Sequence, residues 1–159
     1  MKVFVIFTYG YSLATWNETG TLQRELSIYK ELTKKNIEFI FLTYGSSEEH
    51  ILLNKYENMS VIPIYENIKK SKYRLFNLMK SFLIPFYLKE KIVNFDIIKH
   101  NQLLGSWVAI ITKILYKKPL FLRTGYDMYL FSLHENKKIH IKILYKILTQ
   151  ITIWFSDLY

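Results

Sequence analysis

KVFVIFT (residues 2–8) and IEFIFLT (residues 37–43) decide the fold together with what lies between them. Both are short apolar runs rich in β-branched and aromatic residues, the composition of strands buried on both faces. Thr21 to Asn36 carries Leu22, Leu26, Ile28, Tyr29 and Leu32 close to helical spacing, with charges on the other side. Strand, helix, strand in that order predicts a parallel pair. Tyr9 to Gly20 (YGYSLATWNETG) reads as a loop, far longer than a βα turn needs. Open α/β sheets bind ligands outside the carboxyl ends of their strands, so this loop marks the edge where function is expected.

The pattern continues outward from there. Gly45-Ser46-Ser47 reads as a turn and Glu48 as the start of a short helix. Ser60 to Tyr65 predicts a third strand, and Pro63, which lacks a ladder donor, favours an edge position for it. Lys69 to Asn94 reads as helix, broken or kinked at Pro85. Asp96 to Asn101 predicts a fourth strand. Leu103 to Tyr116 predicts a helix whose Gly105, Ser106 and Ala109 permit close packing. Pro119 to Thr124 predicts a fifth strand, followed by a short helix and then a long one over His140 to Phe155. Asp157-Leu158-Tyr159 looks like the opening of a further strand. Strands alternating with helices specify an α/β fold, a Rossmann-like parallel sheet with helices on both faces, expected as one domain over residues 1–159.

Composition narrows the function classes. Half of the 159 residues are hydrophobic and 17% aromatic, which predicts a packed body rather than disorder. There is no cysteine, so disulfides and thiolate chemistry are excluded. The formal charge is +9, but the 22 basic residues include only Arg24, Arg74 and Arg123 as arginines, leaving 19 lysines. Lysine, isoleucine, asparagine, tyrosine and phenylalanine rise together, as an AT-rich coding sequence produces. The charge is discounted accordingly, and with no nucleic-acid module recognisable, no nucleic-acid partner is expected. Met1-Lys2 leads straight into a β-type run, and no apolar stretch reaches the span of about 20 residues a membrane helix needs. A cytoplasmic protein is expected, either free or peripheral on the inner face of the membrane.

Candidate residues gather at the predicted strand ends. Asn101 and Gln102 carry amides that can donate to and accept from a bound ligand, or cap the next helix. Arg123 ends a predicted buried strand and needs either an anion or a partner such as Asp127. Asp127 could itself accept hydrogen bonds from a ligand, and Tyr126 offers a ring face for stacking. Gly20, after Thr19 and before the helix, is either a turn glycine or one that lets backbone N–H groups approach a phosphate. His50, His100, His134 and His140 show no metal-ligand spacing, and Ser12, Ser46 and Ser47 sit in no nucleophile elbow, so no metal site and no hydrolase triad is expected. The run Lys69-Lys70-Ser71-Lys72-Tyr73-Arg74 ahead of Leu75 to Leu88 reads as a basic amphipathic segment over residues 69–91. It suits an anionic membrane surface, or a solvated helix packed on the sheet.

Several of these stretches, in this order, resemble the N-terminal domain of GT-B fold glycosyltransferases of family 4. Thr19-Gly20 stands where that family often has paired glycines, followed by Leu22-Gln23-Arg24-Glu25-Leu26. Asn36-Ile37-Glu38-Phe39 looks like its Gly-His-Glu-Val turn, and Asp96-Ile97-Ile98-Lys99-His100-Asn101 like its Asp-Ile-Ile-His strand. Gly105 to Arg123 looks like its small-residue helix and Lys-Lys-Pro strand. The histidine often found after the fifth strand is replaced by Arg123-Thr124-Gly125-Tyr126-Asp127.

The resemblance implies a sugar transferase that uses a nucleotide sugar as substrate, without a metal or other cofactor, in surface polysaccharide or glycolipid assembly. It implies acceptor binding at Asn101, Gln102, Arg123, Gly125, Tyr126 and Asp127, with Thr19 and Gly20 facing the donor phosphates. Residues 1–159 would be the acceptor-binding half, with the C-terminal donor-binding domain absent, and would be inactive alone. The acceptor would be a glycan or lipid-linked sugar, and a C-terminal-type domain or chain a partner. Two other readings stand beside it: a non-catalytic acceptor- or partner-binding subunit of a split or truncated enzyme, and a flavodoxin-like nucleotide-binding domain. The last lacks G-x-G-x-x-G after the first strand.

Overall fold

The computed structural model describes residues 1–92, 94–125 and 127–159. Five parallel strands form one sheet: β1 (Lys2–Ile6), β2 (Glu38–Thr43), β3 (Met59–Pro63), β4 (Ile97–Asn101) and β5 (Leu120–Arg123). Their order is β3-β2-β1-β4-β5, with the chain reversing direction across the sheet at the β1/β4 junction. That is the Rossmann-like order, and the α/β reading holds. Pro63 closes the edge strand β3, opposite Thr43, where its missing N–H costs no ladder bond.

Side chains alternate across the sheet. Phe4, Ile6, Ile98 and Leu120 face one core, closed by α5 (Arg74–Tyr87) and α6 (Ser106–Tyr116). Val3, Val5, Phe7, Phe39 and Phe41 face the other, closed by α1 (Leu13–Glu18), α2 (Leu22–Thr33) and α3 (Glu49–Leu53). Fully burying a side chain such as Phe4 contributes roughly 1.5–3 kcal/mol, so the two cores dominate stability.

Four expectations are corrected. The expected loop 9–20 holds helix α1, because the Ser12 hydroxyl accepts from the Thr15 N–H at 3.0 Å and Leu13 is fully buried. The Lys69–Asn94 helix shrinks to α5, preceded by the short α4 (Ile64–Asn67); α5 runs through Pro85 and stops two residues later. Arg123 is exposed at the end of β5, not buried, since no helix among the described residues covers its side of the sheet there. Asp127 forms no ion pair with it and instead caps α7 (Met128–His134), accepting from Tyr129 N–H at 2.7 Å and Leu130 N–H at 3.1 Å. The final α8 (Ile139–Phe155) packs on α6 through Thr152 and Ser106, whose hydroxyls meet at 2.9 Å. Beyond it Leu158 bridges Phe121 in parallel, the strand-like start expected from residues 157–159.

Candidate functional site

The β1/β4 junction is knitted shut before it opens. Tyr9 N–H donates to the Leu104 carbonyl at 3.0 Å, and the Thr8 hydroxyl to the Asn101 carbonyl at 3.0 Å. Gly105 sits at φ +98°, where a Cβ would stand 2.8 Å from the Tyr9 nitrogen and 3.3 Å from His100 Cε1, so only glycine fits. His100 is fully buried beside it. Its Nδ1 lies 2.8 Å from the Ile6 carbonyl, which can only accept, so Nδ1 carries the proton. Nε2 has no hydrogen-bond partner among the described residues. Burial pulls the His100 pKa down to about 4, and the Ile6 contact opposes this without prevailing.

Two adjoining clefts open along the carboxyl rim. One, of about 410 Å³, is lined by Thr8, Tyr11, Trp16 and Leu103 with Asn101 and Gln102. The other, of about 290 Å³, runs over the face of β4 and β5, between Tyr29 on α2 and Lys99, Arg123 and Gly125. Glu25, Asn101 and Gln102 line both. Residues distant in the chain therefore meet on one rim.

The site residues expected from sequence fall into three groups. Asn101, Gln102, Arg123 and Gly125 come together in the smaller cleft. Asn101 and Gln102 do not cap α6, whose N-cap is Gly105. Asn101 Oδ1 instead accepts from Lys99 Nζ at 2.9 Å. A Cβ at Gly125 would come within 3.2 Å of Gln102 Nε2, so the glycine lets that amide lie close. Asp127 is occupied as a helix cap, and Tyr126 lies outside the described residues.

Thr19 and Gly20 are exposed and line neither cleft. The Gly20 N–H is spent on the Asn17 carbonyl at 3.1 Å, and the Thr19 hydroxyl on the Thr15 carbonyl at 2.9 Å. Gly20, at φ +69°, makes the turn between α1 and α2.

Two residues were missed by sequence reasoning. Lys99 stands in the smaller cleft, its Nζ donating to the Tyr29 hydroxyl at 3.0 Å and lying 5.1 Å from the centre of that ring. Glu49 is buried under α1, accepting from Ala14 N–H at 2.9 Å and from the Thr43 hydroxyl. It staples the rim segment 9–20 to the end of β2. Among the described residues no group of three or more His, Asp or Glu side chains is placed to hold a metal ion. No helix among them is long and apolar enough to cross a membrane.

No protein-family model matches the sequence, and no curated protein matches it. Among solved structures, MurG of Acinetobacter baumannii is similar over 77% of this chain, with 15% identity and a TM-score of 0.46. This chain spans 35% of the length of that MurG chain. The assignment of an α/β fold with a parallel, Rossmann-like sheet rests on the strand order and register themselves.

Proposed function

We propose that this chain supplies the acceptor-binding wall of a GT-B glycosyltransferase, with a nucleotide-sugar donor bound across the rim by a second domain or chain. The reading is supported by one observation above all: Thr8, Asn101, Gln102 and Arg123, brought from three strand ends, border adjoining clefts at the reversal of strand order. Amides at that rim can donate to and accept from sugar hydroxyls, and Trp16 and Tyr11 offer ring faces for a pyranose. Transfer would rest on positioning the acceptor hydroxyl against the donor and on charge facing the departing diphosphate.

A lipid-linked acceptor fits the outer surface. α5 contains no acidic residue and exposes Leu75, Phe76, Met79 and Phe86 behind Lys69, Lys70, Lys72 and Arg74. α8 likewise lacks acidic residues and exposes Ile143, Leu144, Ile147 and Trp154, the last 82% exposed. Apolar side chains flanked by cations suit an anionic bilayer surface.

The test is a titration of the isotopically labelled protein with methyl glycosides, together with a nucleotide-sugar turnover assay. Saturable shifts at Thr8, Asn101 and Gln102 without turnover are expected. Turnover by the 159-residue protein alone would contradict the half-site reading, and silence at the rim would contradict acceptor binding. Co-sedimentation with phosphatidylglycerol vesicles, weakened by Phe76→Asp and by salt, is the expected sign of the membrane surface.

A further inference from the structure

The helices of the second core come from α1, α2 and α3 alone, and they cover β1, β2 and β3. Beyond α2, no helix among the described residues covers that face of the sheet. Burial alternates accordingly: Ile98, His100, Leu120 and Leu122 are buried on the covered side, while Lys99, Asn101 and Phe121 are half-buried and Arg123 exposed on the other. Lys99 pairs in register with Val5 and Phe121, and Asn101 with Arg123, so these side chains share one surface.

A bare sheet face is ordinarily polar and solvated, and a lysine there points into water. Lys99 does not. It lies on the Tyr29 ring with its ammonium held by the Tyr29 hydroxyl and by Asn101 Oδ1, both neutral. Three N–H donors against two oxygens leave one donor free. No carboxylate among the described residues pairs with Lys99 or Arg123. Glu25, the one acid lining the cleft among the described residues, is held by Arg24 at 2.7 Å. Two cations without counter-charge therefore face one cleft beside the amides of Asn101 and Gln102, with Ile28 and Leu32 as an apolar wall.

We propose that this bare face of β4 and β5 binds an anionic group of the ligand, a phosphate or a carboxylate, between Lys99 and Arg123. The inference rests on the acceptor-binding reading for the identity of the ligand as a sugar, but not for the anion site itself. Lysine supplies the point charge, and arginine a fork that accepts two oxygens of a planar or tetrahedral anion. The neutral oxygens that position Lys99 do so without cancelling its charge.

The test compares glucose, glucose 1-phosphate, glucuronic acid and inorganic phosphate, by calorimetry and amide shifts at low ionic strength, on the native chain, Lys99→Gln and Tyr29→Phe. At least tenfold tighter binding of a charged sugar than of glucose is expected, with the preference lost in Lys99→Gln and weakened in Tyr29→Phe. Thermal midpoints confirm that both variants fold. A preference for glucose 1-phosphate identifies a phosphorylated acceptor, and one for glucuronic acid an acidic sugar. Glucose binding as tightly as both, with Lys99→Gln without effect, overturns the anion site and leaves acceptor binding standing. Lys99-dependent binding of inorganic phosphate with no sugar preference does the reverse.

Discussion

Lys99 and His100 are neighbours in one strand and occupy opposite worlds. His100 points into the junction of β1 and β4, fully buried against Gly105 and the Ile6 carbonyl, and is held neutral by the cost of charging it there. Lys99 points the other way, onto the face at the edge of α2, with its ammonium resting on Tyr29 in an open cleft. A one-residue step along β4 separates a region built for shape from one furnished for binding. Substitutions on the dry side should unfold the protein, and those on the open side should leave it folded and change what it holds.

The largest effect is expected at Gly105. Gly105→Ala forces a side chain into φ +98° and against the Tyr9 backbone, a loss of about 3 kcal/mol or more, read as a lower denaturation midpoint. A small effect there would erase the contrast between the two sides.

Acidification tests the same side. The His100 pKa is about 4 in the folded chain against 6.5 ordinarily, so the unfolded chain binds the extra proton between those values. Stability is full above about pH 6.5 and falls as pH drops toward 4, by roughly 3 kcal/mol in total for this group. Denaturation curves across that window check it, and His100→Asn should flatten the slope.

Glu49→Ala comes next. It leaves Ala14 N–H and the Thr43 hydroxyl without their acceptor and loosens α1, at a cost of about 2 kcal/mol. Hydrogen exchange should quicken first over residues 9–20. Lys99→Met should change stability least, by under about 1 kcal/mol, because a half-exposed lysine with neutral partners contributes little net energy. Anion binding should nonetheless disappear. A large drop in midpoint would make Lys99 a structural residue.

The sheet was legible because its strands are short apolar runs, of which Val3 to Phe7 is fully buried, and because Pro63 favours an edge. Residues 9–20 misled because their polar composition mimics a loop. The helix there depends on a single hydroxyl cap and on Glu49, 35 residues away from Ala14. Arg123 and Asp127 were sensible partners by charge, but Asp127 is taken by the N–H groups of its own helix.

Lys99 goes unread inside Asp-Ile-Ile-Lys-His-Asn because naming the run a strand does not say which of its side chains share a face. Its period of two, Ile98 and His100 against Lys99 and Asn101, carried the signal. Which of those faces lacked a helix depends on strand order, a tertiary fact that no local pattern encodes.

A crystal structure with glucose 1-phosphate bound tests the central claim most directly. The account predicts the sugar on the rim beside Asn101 and Gln102, with phosphate oxygens within hydrogen-bond distance of Lys99 Nζ and the Arg123 guanidinium. Ligand found only on the opposite, amino-terminal edge of the sheet, or only on the outer faces of α5 and α8, would contradict it.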